Sequence, residues 1–239
     1  VTQGLVLPGR GHGVERMDIE AVSDTDLARC LRDLERVNVA SLGHRPTLAW
    51  LDRVARGRSR ISVLDVGSGG GDMLRRIWRW GRRRGIATEL TGLDVNPAVT
   101  QAATARTPAE MAIRFETADI FDYPRARAHD VILSALFAHH LDDAAVPRFL
   151  RWMEDRAAIG WMVNDLHRHP VPYHGLRLAF AALPVHRFVR HDGPVSVQRG
   201  FSRADLLRSA EAADLGSGEV ELTWWFPFRW RLARVKARA

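Results

Sequence analysis

The residues that could do chemistry cluster in three short stretches. The first is Val63-Leu64-Asp65-Val66-Gly67-Ser68-Gly69-Gly70-Gly71-Asp72. Its glycines let the backbone take positive φ and let a ligand lie against the main chain. Asp72 then opens a helical pattern, with Leu74, Ile77 and Trp78 on one side. A carboxylate there repels the pyrophosphate that a helix N-terminus otherwise attracts. It suits a ligand with a positive centre and an amine. The second stretch is Leu90-Thr91-Gly92-Leu93-Asp94-Val95-Asn96-Pro97. A carboxylate at the tip of a strand, as Asp94 would be, can accept from both hydroxyls of a ribose. The third is Ala118-Asp119-Ile120. An acid beside an aliphatic residue can hold an adenine, one through its exocyclic amine and the other against its face. Two nucleotide signatures are missing. The sixth position from Gly67 is Asp72, where a dinucleotide fingerprint needs glycine, and no Gly-Lys-Ser/Thr of a phosphate loop is present.

The elements that must position these groups follow from periodicity. Ile61 to Val66 reads as a buried parallel strand, short and partly β-branched. After it come a helix over 72–83, a strand over 88–93, a helix over 97–105 and a strand over 112–117. A fourth strand spans 130–134, a helix 142–156 and a fifth strand 159–164. Strand and helix in alternation predict a doubly wound, mostly parallel α/β sheet. On such sheets ligands bind outside the carboxyl ends of the strands, and all three stretches lie at such ends. Upstream, a helix is expected from Asp24, with Leu27, Leu31, Leu34 and Val37 on one face, and another near 46–55. The first 22 residues, with Pro8, Gly9, Gly11 and Gly13, read as a mobile tail. Beyond the fifth strand a long insertion runs to Gly200. It is helical in part over 176–188 and turns at Val189-Arg190-His191-Asp192-Gly193-Pro194. Ser202 with Asp205 forms a capping-box-like start for a helix over 202–213. Two closing strands, near 219–225 and 228–235, are expected to pair antiparallel around Pro227.

In order and spacing the three stretches resemble the class I S-adenosylmethionine (SAM)-dependent methyltransferases, over residues 61–164 in particular. The resemblance implies a seven-stranded Rossmann-like sheet with N-terminal helices and a substrate lid inserted after strand five. It divides the chain into 1–57 (tail and cap helices), 58–165 (SAM-binding core), 166–200 (lid) and 201–239 (a helix and strand pair completing the core). It also assigns cofactor contacts. The turn Asp65, Gly67, Ser68, Gly69 and Asp72 holds the methionine end. Asp94 and Val95 take the ribose, Asp119 and Ile120 the adenine, and Ser134 and Leu136 line the methionine arm. Arg36 or Asn38, at the end of the first long helix, could reach the SAM carboxylate.

Methyl transfer to a hydroxyl needs its proton removed, which a histidine near its reference pKa of about 6.5 can do. His139, His140, His167 and His169 are the candidates. His167, two residues past Asp165 and just beyond strand five, is favoured as base, with Asp165 orienting it. Trp161, His169, Tyr173 and Phe180 are candidate contacts for a flat or lipid-like acceptor. The His139-His140-Leu141 run and Asn164-Asp165-Leu166-His167 resemble the bacterial methyltransferases of quinones and phenolic polyketides. O-methylation of a phenolic hydroxyl in secondary metabolism is the implied reaction, with C-methylation of a ring as alternative. An RNA methyltransferase and a non-catalytic SAM-binding protein are lower alternatives. Asn164-Asp165 mimics part of the ligand set of metal-dependent catechol-type enzymes. The acid expected near Ser134 is absent, however, and no cysteine joins His167-x-His169, so no metal is expected.

Composition agrees with a cofactor-binding globular domain. The 239 residues, 46% hydrophobic, suffice for one domain with a sizeable core. The sole cysteine, Cys30, rules out an internal disulfide and fits a reducing compartment, so a cytoplasmic location is expected. No apolar stretch is long enough to span a bilayer, and no secretory signal is expected. The net charge of +7 comes from scattered arginines. The densest run, Arg82-Arg83-Arg84, closes a helix where positive charge favours the macrodipole. No aromatic motif interleaves with the arginines, so a nucleic-acid partner is not expected.

Overall fold

The computed structural model describes residues 7, 9–11, 13–20, 22–124, 129–216 and 218–236. Seven strands form one sheet in the order β3-β2-β1-β4-β5-β7-β6. These are β1 (Arg60–Val66), β2 (Ala87–Asp94), β3 (Arg114–Thr117), β4 (His129–Ala135), β5 (Ala157–Leu166), β6 (Glu221–Trp225) and β7 (Arg229–Val235). β1 to β5 run parallel, while β7 pairs antiparallel with both β5 and β6.

The alternation of side chains along the central strands sorts them into two cores. Ile61 and Val63 of β1, with Val131 and Leu133 of β4, face one side. There they meet Trp50 and Leu51 of α3 (Arg45–Val54) and Leu74 and Ile77 of α4 (Asp72–Arg84). Leu64 and Val66 face the other side. They pack with Phe149 and Met153 of α6 (Ala145–Arg156) and Leu206 of α9 (Arg203–Ala212). The central strands are buried on both faces, and the loops gather at the strand tips.

Helix boundaries follow local chemistry. The Ser23 hydroxyl accepts from Asp26 N–H at the start of α2 (Asp24–Ala40). Asn96 caps α5 (Pro97–Ala105), whose first position is a proline. Asp142 Oδ1 accepts from Ala144 and Ala145 N–H ahead of α6. β3 begins two residues later than expected, because Ala112 sits at φ 49° and closes a 3-10 turn first.

Two expectations are corrected. The segment Val189-Arg190-His191-Asp192-Gly193-Pro194, read as a turn, lies inside α8 (Arg187–Arg199), which follows α7 (Pro170–Ala182). Gly-Pro is a turn signal, but packing overrides it here: Phe188, Val189 and Val197 are all buried. Gly193 is needed for a different reason, since a Cβ there would lie 2.6 Å from the Phe180 ring of α7. The N-terminal segment, read as a mobile tail, is fastened where it is described; Pro8 and residues 1–6 lie outside the described residues. Arg10 donates to the carbonyls of His139, Leu141 and Arg199 and stacks on Phe201. Gly11 N–H donates to Gln198 O. Arg16 and Met17, in the single-turn α1 (Arg16–Ile19), give their N–H groups to the Asp192 carboxylate. No glycine count predicts such a strap, because its anchors, backbone carbonyls and the Asp192 carboxylate, lie more than a hundred residues away.

At α9 the expected capping box is complete: Ser202 Oγ accepts from Asp205 N–H, and Asp205 Oδ2 accepts from Ser202 N–H. Ser202→Ala removes the first of these bonds. It is expected to cost about 1 kcal/mol and lower Tm by about 2–4 °C. An unchanged thermal transition in scanning calorimetry would contradict the role of the cap.

Candidate active site

A cavity of about 560 Å³ opens across the tips of β1, β2, β3 and β4. One half is built from the glycine turn and the strand-end acids. Gly67 and Ser68 both donate their N–H to Leu93 O, at 2.8 and 3.0 Å, which ties the turn after β1 to the end of β2. Gly67, Gly69 and Gly71 all have positive φ. At Gly67 the requirement is doubled, since a Cβ would meet the Phe137 ring at 2.5 Å.

The Asp94 carboxylate is held at both oxygens. Oδ2 accepts from Gly69 N–H at 3.1 Å and Oδ1 from Asn96 N–H at 3.0 Å. Val95, Asp119, Ile120 and Leu136 line the same half. Leu136 stands at φ 59°, a conformation costly for a branched side chain. Its N–H is held by Asn164 O at 2.9 Å.

Charge in this half is arranged around two acids of opposite character. Asp72 lies 2.7 Å from His44 Nε2 and 3.4 Å from Asn38 Nδ2. Burial pushes its carboxyl up, but the hydrogen bond and charge of His44, aided by Asn38 and Arg75, outweigh this and hold it below the usual range. Asp65 is buried without such help. Burial first, and then the charges of Asp72 and Asp94, push its carboxyl well above the usual range, and its Oδ1 has no hydrogen-bond partner. Arg229, at the start of β7, is also buried on the cavity wall. Its Nη2 donates to Ser41 Oγ, while Nε and Nη1 have no partner. Burial lowers its pKa to about 10 against the pull of Asp165 and Asp72, so the guanidinium stays charged at neutral pH.

The other half is a chamber walled by Met17, Cys30, Leu34, Leu176, Phe180 and Val189, with a polar end. At that end His139 Nδ1–H donates to Asp165 Oδ1 at 2.7 Å, and His139 N–H to Asp165 Oδ2 at 3.1 Å. The far nitrogen of His139 lies 3.6 Å from Glu15 Oε1, and His140 Nε2 lies 3.8 Å from Glu15 Oε2. Ser196 Oγ donates to Glu15 Oε1 at 2.8 Å. Burial alone would lower the pKa of His139. The charge and hydrogen bond of Asp165, then those of Glu15, overcome it and carry it up to about 9. Glu15 responds in the opposite sense. Burial raises it, but the hydrogen bond and charge of His139, with His140 and Ser196, bring it down to about 2. The donor atoms of Glu15, His139 and His140 fall within 4.8 Å of one another, and the imidazolium–carboxylate pairing accounts for that convergence.

Several expected residues lie elsewhere. His167 is off the cavity. Its ring packs on Trp230 and Phe228, and its Nδ1 accepts from Trp224 Nε1–H. Burial, with the charges of His169 and Arg168, lowers its pKa to about 4. His169 uses Nδ1 to cap α7, accepting from Val171 N–H. Trp161 is fully buried in the sheet, its Nε1–H on Glu154, and Tyr173 stacks edge-on with His174 outside the cavity. Arg36 points to solvent and pairs with Asp33, whereas Asn38 reaches the cavity. Ser134 is buried behind the wall rather than on it. Asp165 reaches the chamber only through His139. Of the residues expected to act on the acceptor, His139, His140 and Phe180 line the cavity, and Asp165 is hydrogen-bonded to His139 rather than oriented on His167. Glu15, His44, Ser196 and Arg229 went unread. Arg229 carried a faint signal, as an arginine opening an apolar closing strand.

The comparisons bear on class. Residues 63–160 match the family described as a methyltransferase domain. No curated protein matches the chain. Among solved structures it is similar to human N-acetylserotonin methyltransferase in complex with SAM, at 16% identity and a TM-score of 0.64, over 90% of this chain and 57% of that one. It is similar to the plantazolicin methyltransferase BpumL in complex with pentazolic desmethylPZN analog and S-adenosylhomocysteine (SAH). There identity is 12% and TM-score 0.63, over 90% of this chain and 96% of that one. A third is the CurJ carbon methyltransferase, at 15% identity and TM-score 0.62, over 91% of this chain and 62% of that one. The chain thus spans a little over half the length of the human protein. The likeness is one of fold: a seven-stranded Rossmann-like sheet of the kind found in class I methyltransferases.

The unpartnered Asp65 gives a stability test. A carboxyl whose proton affinity is raised in the fold opposes folding at pH values above the one at which it ionises in the unfolded chain. Asp65→Asn keeps the shape and removes that opposition. The Tm of the variant relative to the parent is expected to rise steadily as pH goes from 4 to 8. A variant that loses ground over the same range would contradict the assignment.

Proposed function

We propose that the protein is a SAM-dependent methyltransferase that modifies a small, largely apolar acceptor at an oxygen. The observation that carries this reading is the Asp94 carboxylate, fixed by two backbone N–H groups at the tip of β2 beside the glycine turn. A carboxylate at this place, the tip of the second strand beside a glycine turn, can accept from a vicinal diol such as the ribose of SAM. The rest of the half-cavity fits the same molecule. Asp119 and Ile120 suit an adenine, as the resemblance implies. The charged Arg229, with two unpartnered donors, suits the carboxylate of the methionine moiety. Asp72 and Asp65 suit its amine.

When bound, SAM supplies a methyl group on a positively charged sulfur, already reactive toward a nucleophile. The chain must then hold an acceptor oxygen in line and keep water out. The chamber on the far side of the glycine turn has apolar walls for a flat or lipid-like body. His139, oriented by Asp165, meets the acceptor oxygen there. His139 thus replaces His167 as the histidine of the reaction. An aromatic hydroxyl of phenolic or quinone type, in secondary metabolism, is the acceptor the walls favour. C-methylation is a second reading: a solved structure of similar fold is named as a carbon methyltransferase, and a histidine–carboxylate pair serves that chemistry as well.

Isothermal calorimetry with SAH tests the cofactor half. The parent protein is expected to bind, and Asp94→Ala to weaken binding by about tenfold or more, the loss of hydrogen bonds to a charged group. Unchanged affinity in the variant would place the ribose elsewhere. For the acceptor half, His139→Ala is expected to keep SAH affinity while transfer falls by about a hundredfold or more. Full activity in that variant would remove His139 from the reaction.

A further inference from the structure

We infer that the acceptor enters as an oxyanion, a carboxylate or an acidic enol or phenol, and takes the place that the Glu15 carboxylate holds between His139 and Ser196. The inference rests on the methyltransferase reading and deepens it.

The seat is a built one. Glu15 is 6% exposed, and a buried carboxylate persists only where it is paired and hydrogen-bonded. The Ser196 hydroxyl donates to it, and the far nitrogens of His139 and His140 converge on it. Behind His139, Asp165 fixes the ring through Nδ1, so the other nitrogen can only face this position. The seat opens into the chamber, most of whose walls are apolar. Here the donors of His139, His140 and Ser196 converge, so here an anionic head would be met.

Glu15 does not belong to the frame of the fold. It rides on the N-terminal strap, which is fastened on either side of it by Arg10 and Gly11 and by Arg16 and Met17. A carboxylate delivered by a strap can be exchanged for one delivered by a ligand without moving a strand or a helix of the sheet.

Charge balance decides what can make that exchange. His139 is faced by Asp165 from β5, by Glu15 from the strap and by His140 on its own turn. Asp192 of α8 lines the same chamber, and Arg10 and Arg199 donate to the His139 carbonyl. With two carboxylates against it the imidazole keeps its proton through neutral pH. It then donates a hydrogen bond rather than accepting a proton. An incoming oxyanion preserves this balance, whereas a neutral hydroxyl would remove one of the two compensating charges. The transfer itself needs no base. A lone pair of the oxyanion forms the oxygen–methyl bond as the methyl–sulfur bond breaks, and that bonding pair stays on sulfur, which becomes a neutral thioether. No proton is released.

The test uses the full chain saturated with SAH, whose binding is measured first, so that failure of the cofactor reading is seen separately. Calorimetric affinities at pH 7 are then compared for 2-naphthoate, for a nitrophenol that is ionised, and for an alkylphenol that is not. At least one anion is expected to bind about tenfold or more tightly than the alkylphenol. Preference for naphthoate points to ester formation and preference for the nitrophenol to an acidic hydroxyl. Glu15→Gln removes the competing charge and is expected to raise affinity for the preferred anion several-fold. Ser196→Ala is expected to lower it, with SAH affinity unchanged in both. Equal or better binding of the alkylphenol, no binding of either anion, or loss of anion affinity in Glu15→Gln would overturn the inference.

Discussion

One carbonyl oxygen sets the geometry on which the site depends. Leu93 O, at the end of β2, accepts from the N–H groups of both Gly67 and Ser68. Two strands that run side by side in the sheet are thereby joined at their tips as well, and the turn after β1 cannot swing away from β2. The same closure presents Gly69 N–H to Asp94 and leaves Gly71, at φ 75°, to start α4. Gly67 tolerates no side chain because Phe137 after β4 fills the space its Cβ would need. Three strand ends therefore share one rigid cradle, and the order β3-β2-β1-β4 puts them next to one another.

On that cradle the protein places charge with unusual economy. Asp72 and Asp94 lie close enough to Asp65 to raise its proton affinity, and each acid has different partners. Asp72 has His44, which holds its carboxyl down; Asp94 has backbone N–H groups; Asp65 Oδ1 has no partner, and its carboxyl is pushed up. Arg229 enters from the antiparallel strand β7, which sits beside β5 rather than beside the nucleotide strands. The chamber beyond the turn repeats the pattern in the opposite sense, with one imidazole between two carboxylates. Both halves thus keep buried charge only where an opposite charge or a hydrogen bond stands within reach.

The sheet was legible in the sequence because its strands and helices carry strong periodic patterns and its turns carry glycines with a mechanical purpose. The strand-tip half of the cavity was legible for the same reason: Gly67, Asp94 and Asp119 are close in chain order to the strands that hold them. The acceptor half was not. His167 is the partner for Asp165 that the sequence favours because it is near in the chain, whereas His139 is near only in space. The register of β4 against β5, which sets Ala135 opposite Asn164, brings the turn carrying His139 to Asp165. His167 is carried off instead by the pairing of its backbone with Phe228 and Phe201. Glu15 was invisible for a deeper reason. It has no local structure of its own beyond a single turn, and its position comes from Arg10, Asp192 and Ser196 acting across the fold. The helix through Gly193-Pro194 was missed because turn propensity is local, while the burial that overrules it is not.

The central claim is that a nucleoside bearing a sulfonium lies across the tips of β1, β2 and β3. A crystal structure of the protein grown with SAH examines it directly. The account predicts density in the cavity with the ribose on Asp94, the adenine between Asp119 and Ile120, and the amino-acid end toward Arg229. An empty cavity at saturating SAH, or density lying along another face of the sheet, would contradict it.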